Sequence, residues 1–181
     1  GPTVPPPCPV REDLKAEARA RGLWNLFLPG EAGAGLTNLE YAPLAEISGR
    51  IPWIAPEAMN CSAPDTGNME ILAHYASDVV REKWLTPLLA GNVRSVYSMT
   101  EPDVASSDAN NISCLITEAG DGFRVTGRKW WSSGARSPRC QIAIVMGRSG
   151  AGGYRHRRST MPPVPCDPPG VNLLASTSAI G

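Results

Sequence analysis

The chain has few of the residues that build metal or disulfide sites. Its 181 residues include two histidines and five cysteines, and no cysteines stand in a Cys-x-x-Cys spacing. An odd, dispersed set of cysteines argues against a disulfide framework or a zinc site and is typical of reduced thiols in an intracellular protein. We therefore expect no metal centre. The cysteines are Cys8, Cys61, Cys114, Cys140 and Cys166.

Net charge and long apolar runs are lacking too. Lys+Arg and Asp+Glu balance at 17 each, so the sequence lacks the basic excess that favours binding to nucleic acid or an anionic membrane. The apolar runs fall short of the roughly 20 residues that a membrane-spanning helix needs. The sequence predicts no nucleic-acid partner and no membrane span.

The hydrophobic residues follow two different patterns along the chain. Residues 1–10 are rich in proline and predict a disordered entry. Residues 11–93 carry helical periodicity, and residues 94–181 carry short β-like runs. The sequence therefore predicts an α+β fold, in which an N-terminal helical domain precedes a small, mainly antiparallel β domain.

The helical half predicts four helices. Thr37 or Asn38 is the expected cap of the second, which carries Leu39, Leu44 and Ile47, and Pro87 should kink or shorten the fourth. The predicted helices cover residues 11–21, 37–48, 68–75 and 78–89. The buried stripe expected on the fourth consists of Val79, Val80, Trp84, Leu85, Leu88 and Leu89.

The β half predicts short strands around a hairpin turn. The turn is Gly120-Asp121-Gly122. Prolines at 162, 163 and 165 confine a strand there to a sheet edge. The predicted strands cover residues 112–117, 122–127, 129–132 and 141–146, with further candidates at 161–164 and 171–174.

Two polar-aromatic blocks stand out in the β half. The first block is residues 97–102 (Tyr-Ser-Met-Thr-Glu-Pro), and the second block is residues 129–134 (Lys-Trp-Trp-Ser-Ser-Gly). Such blocks suit a flat apolar ring with one polar edge, such as a flavin, which needs aromatic cover and hydrogen-bond donors. A core edge is the alternative interpretation of the second block.

Side chains in these blocks have candidate roles. Thr100, Ser132 and Ser133 offer hydroxyl donors, and Trp130 or Trp131 offers a ring face. Strand alternation predicts that the two tryptophans face opposite ways, so that at most one lines a given site.

In combination the motifs resemble the middle domain of acyl-CoA dehydrogenases. The resemblance rests on both blocks, on Ala-Ser-Ser-Asp at 105–108 and on Gly-Phe-Arg-Val-Thr-Gly-Arg at 122–128, and it extends over roughly residues 11–174. Further motifs at 22–29, 41–46, 60–61 and 64–70 are similar to those of the subgroup of family members 10 and 11.

The resemblance implies FAD as cofactor and fatty acyl-CoA as substrate, oxidised to 2-enoyl-CoA by loss of an α-proton to a carboxylate base and of a β-hydride to flavin N5. It places Ser107 where acyl-CoA enters. Ser132 stands where the family usually has an aliphatic residue. The implied flavin contacts are Tyr97, Met99, Thr100, Ser106, Trp131, Ser132 and Ser133.

The catalytic base is not assigned in this sequence. In the family it comes from a C-terminal helical domain, which we expect beyond Gly181. Glu101 precedes Pro102 in a turn, which favours a structural role for this carboxylate over that of a base. An apolar patch around Trp131 and Met99 is expected to be exposed.

Three functional interpretations stay open: part of an acyl-CoA dehydrogenase, a truncated inactive product that acts as a binding module, and the related acyl-CoA oxidase chemistry. For the full-length parent, the resemblance implies electron-transfer flavoprotein as acceptor, a homo-oligomer, and a mitochondrial or peroxisomal location. The basic residues 155–158 suit either a CoA phosphate or a solvated loop.

Overall fold

The computed structural model describes residues 8–149, 158–167 and 169–176. It contains two compact units, one ending at Val93 and one beginning at Arg94. This is the position at which the sequence pattern changes from helical to β-like.

The first unit is helical. Its core contains Leu28, Met69, Leu72 and Leu88. The helices are α1 (Pro9–Ala20), α2 (Asn38–Gly49), α3 (Ala55–Ala58), α4 (Asp65–Tyr75), α5 (Asp78–Val80) and α6 (Thr86–Leu89), with a π-helical turn (Arg81–Leu85) between α5 and α6.

Helix α1 begins earlier than the sequence predicts. Pro9 and Val10, assigned above to a disordered entry, form its first residues. Proline suits the first helical position because its missing N–H has no partner there and its fixed φ is helical. Residues 1–7 lie outside the described residues.

Helix α2 carries the predicted cap. Thr37 and Glu40 form a capping box, in which the Thr37 side chain accepts from the Glu40 N–H and the Glu40 carboxylate accepts from the Thr37 N–H. The apolar residues expected on this helix, however, face solvent in part: Leu39, Leu44 and Ile47 are all exposed.

The fourth predicted helix is interrupted. Proline cannot donate to the carbonyl four residues before it, and the chain accommodates Pro87 by widening into the π-helical turn immediately upstream. Val79 is exposed and does not belong to the buried stripe, whereas Leu85 and Leu88 are buried. Ser77 precedes α5 without capping it through its side chain.

The second unit contains two small mixed sheets. The strands are β1 (Arg94–Ser98), β2 (Leu115–Ala119), β3 (Gly122–Thr126), β4 (Cys140–Val145), β5 (Gly147–Ser149), β6 (Ser159–Thr160) and β7 (Pro163–Pro165). One sheet has the order β1-β4-β7 and the other β3-β2-β5-β6. β1 pairs with β4 and β2 with β5 in parallel, and the other pairings are antiparallel.

The hairpin and the proline-rich edge strand are confirmed. Ala119 pairs with Gly122 across the turn between β2 and β3, and β7 lies at the edge of its sheet. The strands predicted at 129–132 and 171–174 are wrong, because both segments lack regular structure. In the first, a positive φ at Trp131 breaks the extended backbone.

The α+β architecture predicted from the sequence is confirmed. None of the helices in the described parts of the chain has the length and apolar character needed to cross a bilayer.

Candidate functional site

The two polar-aromatic blocks lie side by side. The Trp130 N–H donates to the Thr100 carbonyl at 3.0 Å, and the hydroxyls of Ser98 and Ser132 are 3.0 Å apart. The first block continues from β1, whereas the second follows the hairpin of the other sheet. The fold therefore brings two segments about thirty residues apart in sequence into one surface.

Glu101 and Lys129 hold the blocks together. The Lys129 Nζ donates to a Glu101 carboxylate oxygen and to the Met99 carbonyl, each at 2.8 Å. Glu101 also accepts from the backbone N–H groups of Ser113 at 2.8 Å and Cys114 at 2.9 Å, and from the Ser113 hydroxyl. The carboxylate is buried, with 2% of its side chain exposed.

This arrangement keeps Glu101 ionised. Burial by itself raises the pKa of Glu101, but the hydrogen bonds from Lys129, Ser113 and Cys114 outweigh it and lower the pKa to about 2. A carboxylate with so low a pKa, surrounded by donors, is a weak base. The geometry agrees with the structural role expected from the sequence. The sequence pattern does not identify Lys129 as its partner, although the opposite charges of the two residues, one in each block, are a usable signal.

Trp131 has an unusual backbone. Its φ of 52° lies in the left-handed region, which costs roughly 1–3 kcal/mol for a residue other than glycine. The hydrogen bonds of Trp130 and Ser132 to the first block flank it on both sides. Neighbouring contacts thus hold the bulky residue in a conformation that it rarely adopts.

The two tryptophans share one surface. Their ring centroids are 5.9 Å apart with an interplanar angle of 56°, and 45% of Trp130 and 57% of Trp131 are exposed. The prediction that they face opposite ways is wrong, because strand alternation does not hold at a positive φ. The expected exposure of Trp131 is confirmed, while Met99 packs in part against the core cluster that includes Ile112 and Met146.

The predicted hydroxyl donors have different surroundings. Ser133 is exposed, and its N–H donates to the Trp131 carbonyl at 3.1 Å. Ser132 is half-buried and its hydroxyl contacts Ser98. Thr100 is half-buried beside Trp130. Thr100 and Ser132 belong to residue pairs that join the blocks, and Ser133 follows Ser132 in the chain. The contacts of all three with a flavin stay predictions.

The turn after the first block separates Ser106 from Ser107. Ser106 is buried, and its hydroxyl accepts from the Glu101 N–H at 3.0 Å, so this side chain has a contact inside the turn. Ser107 is exposed. Tyr97 lies in β1 with its hydroxyl 3.7 Å from Met146 Sδ and 3.5 Å from Met161 Sδ, and burial raises its pKa.

A small pocket is lined in part by residues that follow Ser107 closely in sequence. Its volume is about 80 Å³, and its lining combines two guanidinium groups with hydroxyl and amide groups. The basic run at 155–158 suits either a CoA phosphate or a solvated loop. Its last residue, Arg158, lines this pocket, and the other three lie outside the described residues. The lining residues are Ala109, Asn110, Ile112, Arg148, Arg158 and Ser159.

Known proteins have sequences similar to this one. Residues 96–181 match the family model of the acyl-CoA dehydrogenase middle domain. "Probable acyl-CoA dehydrogenase FadE2" of Mycobacterium tuberculosis is 56% identical over 173 residues, covering 96% of this chain and 42% of that protein. Acyl-CoA dehydrogenase family member 11 of Mus musculus is 52% identical over 173 residues, covering 95% and 22%. Family member 10 of the same species is 49% identical over 181 residues, covering 97% and 17%.

Solved structures share the fold. A structure assigned to an acyl-CoA dehydrogenase of Mycobacterium abscessus has a TM-score of 0.86 and 53% identity, and the match covers 90% of this chain and 40% of that one. A glutaryl-CoA dehydrogenase of Mycobacterium smegmatis in complex with FADH2 has a TM-score of 0.65 at 21% identity, covering 88% and 38%, which shows the fold alone. This chain thus spans less than half the length of these relatives. The chain belongs to the acyl-CoA dehydrogenase family, with its middle domain in residues 96–181.

Proposed function

We propose that this chain supplies a flavin-binding wall and an acyl-CoA entrance for an enzyme that oxidises fatty acyl-CoA thioesters to 2-enoyl-CoA. The observation that carries the proposal is the surface formed by the two blocks, which presents exposed tryptophan rings beside hydroxyl groups. The family is FAD-dependent, and a structural neighbour holds FADH2.

The residues present suit an isoalloxazine ring. Trp131 offers an exposed apolar face, and Ser133 and Thr100 offer donors beside it. When bound, the flavin would supply the acceptor for the hydride that leaves the substrate. Lys129 and Glu101 contribute by fixing the first block against the second, so that these groups are in place before binding. Tyr97, Met99, Ser106 and Ser132 remain proposed flavin contacts.

Acyl-CoA binding is proposed at Ser107 and at the pocket whose lining begins two residues later in sequence, at Ala109. The turn that follows Ser107 contributes Asn110 to this pocket, where Arg148 and Arg158 also lie. Guanidinium groups match the geometry of phosphate oxygens, so the pocket suits a phosphate of CoA. We assign no catalytic base among the described residues, because Glu101 is committed to its structural contacts.

The first experiment measures FAD binding to the purified chain by tryptophan quenching and by the flavin spectrum. Trp131→Ala is expected to weaken binding roughly three- to tenfold, because it removes an aromatic face. The matched control is Trp53→Ala, since Trp53 is a more exposed tryptophan in the helical unit, with 77% exposed against 57% for Trp131. Absence of flavin binding by the unaltered chain, or equal effects of both variants, would contradict the proposal.

The second experiment adds acyl-CoA to the flavin-loaded chain. Bleaching of the flavin band supports oxidation by this chain, whereas binding without bleaching favours the alternative, a binding module without activity. Ser107→Ala and Arg148→Ala are expected to weaken acyl-CoA binding and to leave FAD affinity unchanged. Comparison with the pantetheine thioester, which lacks the nucleotide phosphates, distinguishes the roles of the two residues. With this ligand the effect of Arg148→Ala should disappear and that of Ser107→Ala should remain.

The partners of the complete enzyme are also proposals. By resemblance we infer reoxidation by electron-transfer flavoprotein, assembly as a homo-oligomer, and a mitochondrial or peroxisomal location. Rapid reoxidation of the reduced flavin by air would instead support the oxidase alternative.

A further inference from the structure

Two cysteines meet at the edge of the first sheet. Cys140 begins β4, and Cys166 follows directly after β7. Their sulfur atoms are 3.6 Å apart. The Cys166 N–H donates to the Gln141 carbonyl at 3.0 Å, so backbone pairing between the two segments continues up to the thiols. The sheet itself therefore sets the proximity of the sulfur atoms.

The other cysteines have different surroundings. Cys61 is buried in the helical unit, where its thiol donates to the Met59 carbonyl. Cys114 is buried in the core cluster, and Cys8 is exposed at the start of α1.

The two thiols of the pair differ in access and acidity. Cys140 is buried and Cys166 is half-buried, so a small oxidant reaches Cys166 first. The hydrogen bond with Cys140 lowers the pKa of Cys166, against the opposing effects of burial and of the Asp167 carboxylate. A thiolate is the nucleophilic form of cysteine. Cys166 thus suits the attacking role, and Cys140 suits the role of the resolving thiol behind it.

We propose that Cys140 and Cys166 form a modification site, a dithiol that hydrogen peroxide converts into an intrachain disulfide. The Cys166 thiolate attacks one peroxide oxygen, the O–O bond breaks, and a sulfenic acid and hydroxide form. The Cys140 sulfur then attacks the Cys166 sulfur, the S–O bond breaks, and water leaves once protons are exchanged. In total the two thiols lose two electrons and two protons, and the peroxide is reduced to two waters.

The geometry is compatible with this closure. A disulfide bond is about 2.05 Å long, so the sulfur atoms must approach by roughly 1.5 Å from contact distance. Rotation about the Cα–Cβ bonds provides such a movement. The new ring contains β5, β6, β7 and the part of β4 after Cys140, all of which lie between the two cysteines in sequence. The disulfide would join the central strand β4 of the first sheet to the segment that leaves its edge strand β7.

The test is peptide mapping of the chain after treatment with hydrogen peroxide. Trypsin cleaves after Arg139, Arg148 and Arg158, so Cys140 and Cys166 fall in separate peptides with no other cysteine. The linked pair, residues 140–148 joined to residues 159–181, is expected with the mass of two hydrogen atoms lost. The oxidised chain should also unfold at a Tm higher by roughly 5–10 °C, and dithiothreitol should reverse the shift.

Single variants test the order of the steps. In Cys140→Ser, peroxide should leave a Cys166 sulfenic acid that dimedone labels. In Cys166→Ser, Cys140 should stay unlabelled. Cys8→Ser is the control and should retain the linked peptides. The proposal is overturned if the folded wild-type chain yields no linked pair while Cys8 is oxidised, or if the pair forms only in urea; both tests use the unaltered chain and so do not depend on the folding of a variant.

Discussion

Glu101 shows how one buried charge organises the candidate site. Its carboxylate receives donors from Lys129 in the second block and from the backbone of Ser113 and Cys114. A buried charge is costly unless it is paired and hydrogen-bonded. The contacts that satisfy this carboxylate are therefore the same contacts that fix the surface carrying Trp131.

The first prediction concerns the loss of this charge. Glu101→Gln is expected to lower the free energy of unfolding by about 3 kcal/mol, because Lys129 is left without its carboxylate partner in a buried position. Urea denaturation followed by circular dichroism measures the change. Glu118→Gln, at an exposed position on β2, is the matched control and should change stability by less than about 0.5 kcal/mol. Equal stability of both variants would contradict the role given to Glu101.

The second prediction concerns pH. The pKa of Glu101 is lowered from 4.5 to about 2 in the folded chain. The stability it provides is therefore complete above pH 4.5 and is lost as the pH falls from 4.5 towards 2. The loss is roughly 3 kcal/mol. Unfolding measured across this range should show a shallower slope in Glu101→Gln, and identical slopes in the two proteins would refute the assignment.

At the scale of elements, the β2–β3 hairpin is the feature that local sequence predicts best. Its turn residues select the type of connection, and its register follows from the turn. Gly120 has a φ of 58°, whereas Gly122 has no such conformation, and a Cβ on either residue would meet no atom within 4 Å. The two glycines therefore differ in backbone conformation and hardly in available space.

The third prediction uses that difference. Gly120→Ala is expected to destabilise the chain by about 1 kcal/mol, since alanine is strained at positive φ, while Gly122→Ala should have a smaller effect. Thermal unfolding of the two variants measures the contrast. The opposite order of stabilities would show that the turn geometry is wrong.

Other elements were not predictable from local sequence. The β-like run at 129–132 is not a strand, because Trp131 takes a left-handed conformation that contacts with the first block support. The sequence predicts that Pro87 kinks or shortens its helix, but a π-helical turn upstream of it, and not an early end, accommodates it. In both cases distant or compensating contacts override a local preference.

At the scale of the whole molecule, residues 47–54 present an unusual apolar surface in the helical unit. Ile47 is 60%, Ile51 57% and Trp53 77% exposed. Single exposed apolar residues are ordinary, whereas clustered ones bind apolar probes or partners. The net charge of zero does little to oppose association through such a surface.

The fourth prediction follows from this exposure. The double variant Ile47→Ser, Trp53→Ser is expected to bind less of the apolar dye ANS and to keep the Tm of the parent within about 2 °C, because neither side chain is buried. Val79→Ser removes an exposed valine on α5 and is the control, with little effect on dye binding. A strongly lowered Tm in the double variant would mean that these side chains stabilise the folded unit.

The sequence by itself determined the α+β class, the change of pattern at residue 94, the hairpin and the family, because each depends on the order of neighbouring residues in the chain. Only the tertiary structure decided that the two blocks share one surface, that Glu101 pairs with Lys129, that both tryptophans are exposed together and that Cys140 meets Cys166. These features depend on contacts between segments far apart in sequence, such as the hydrogen bonds that join Trp130 and Ser132 to the first block. Such contacts form only when strands pair and buried charges find partners, and a local pattern does not encode which partners those are.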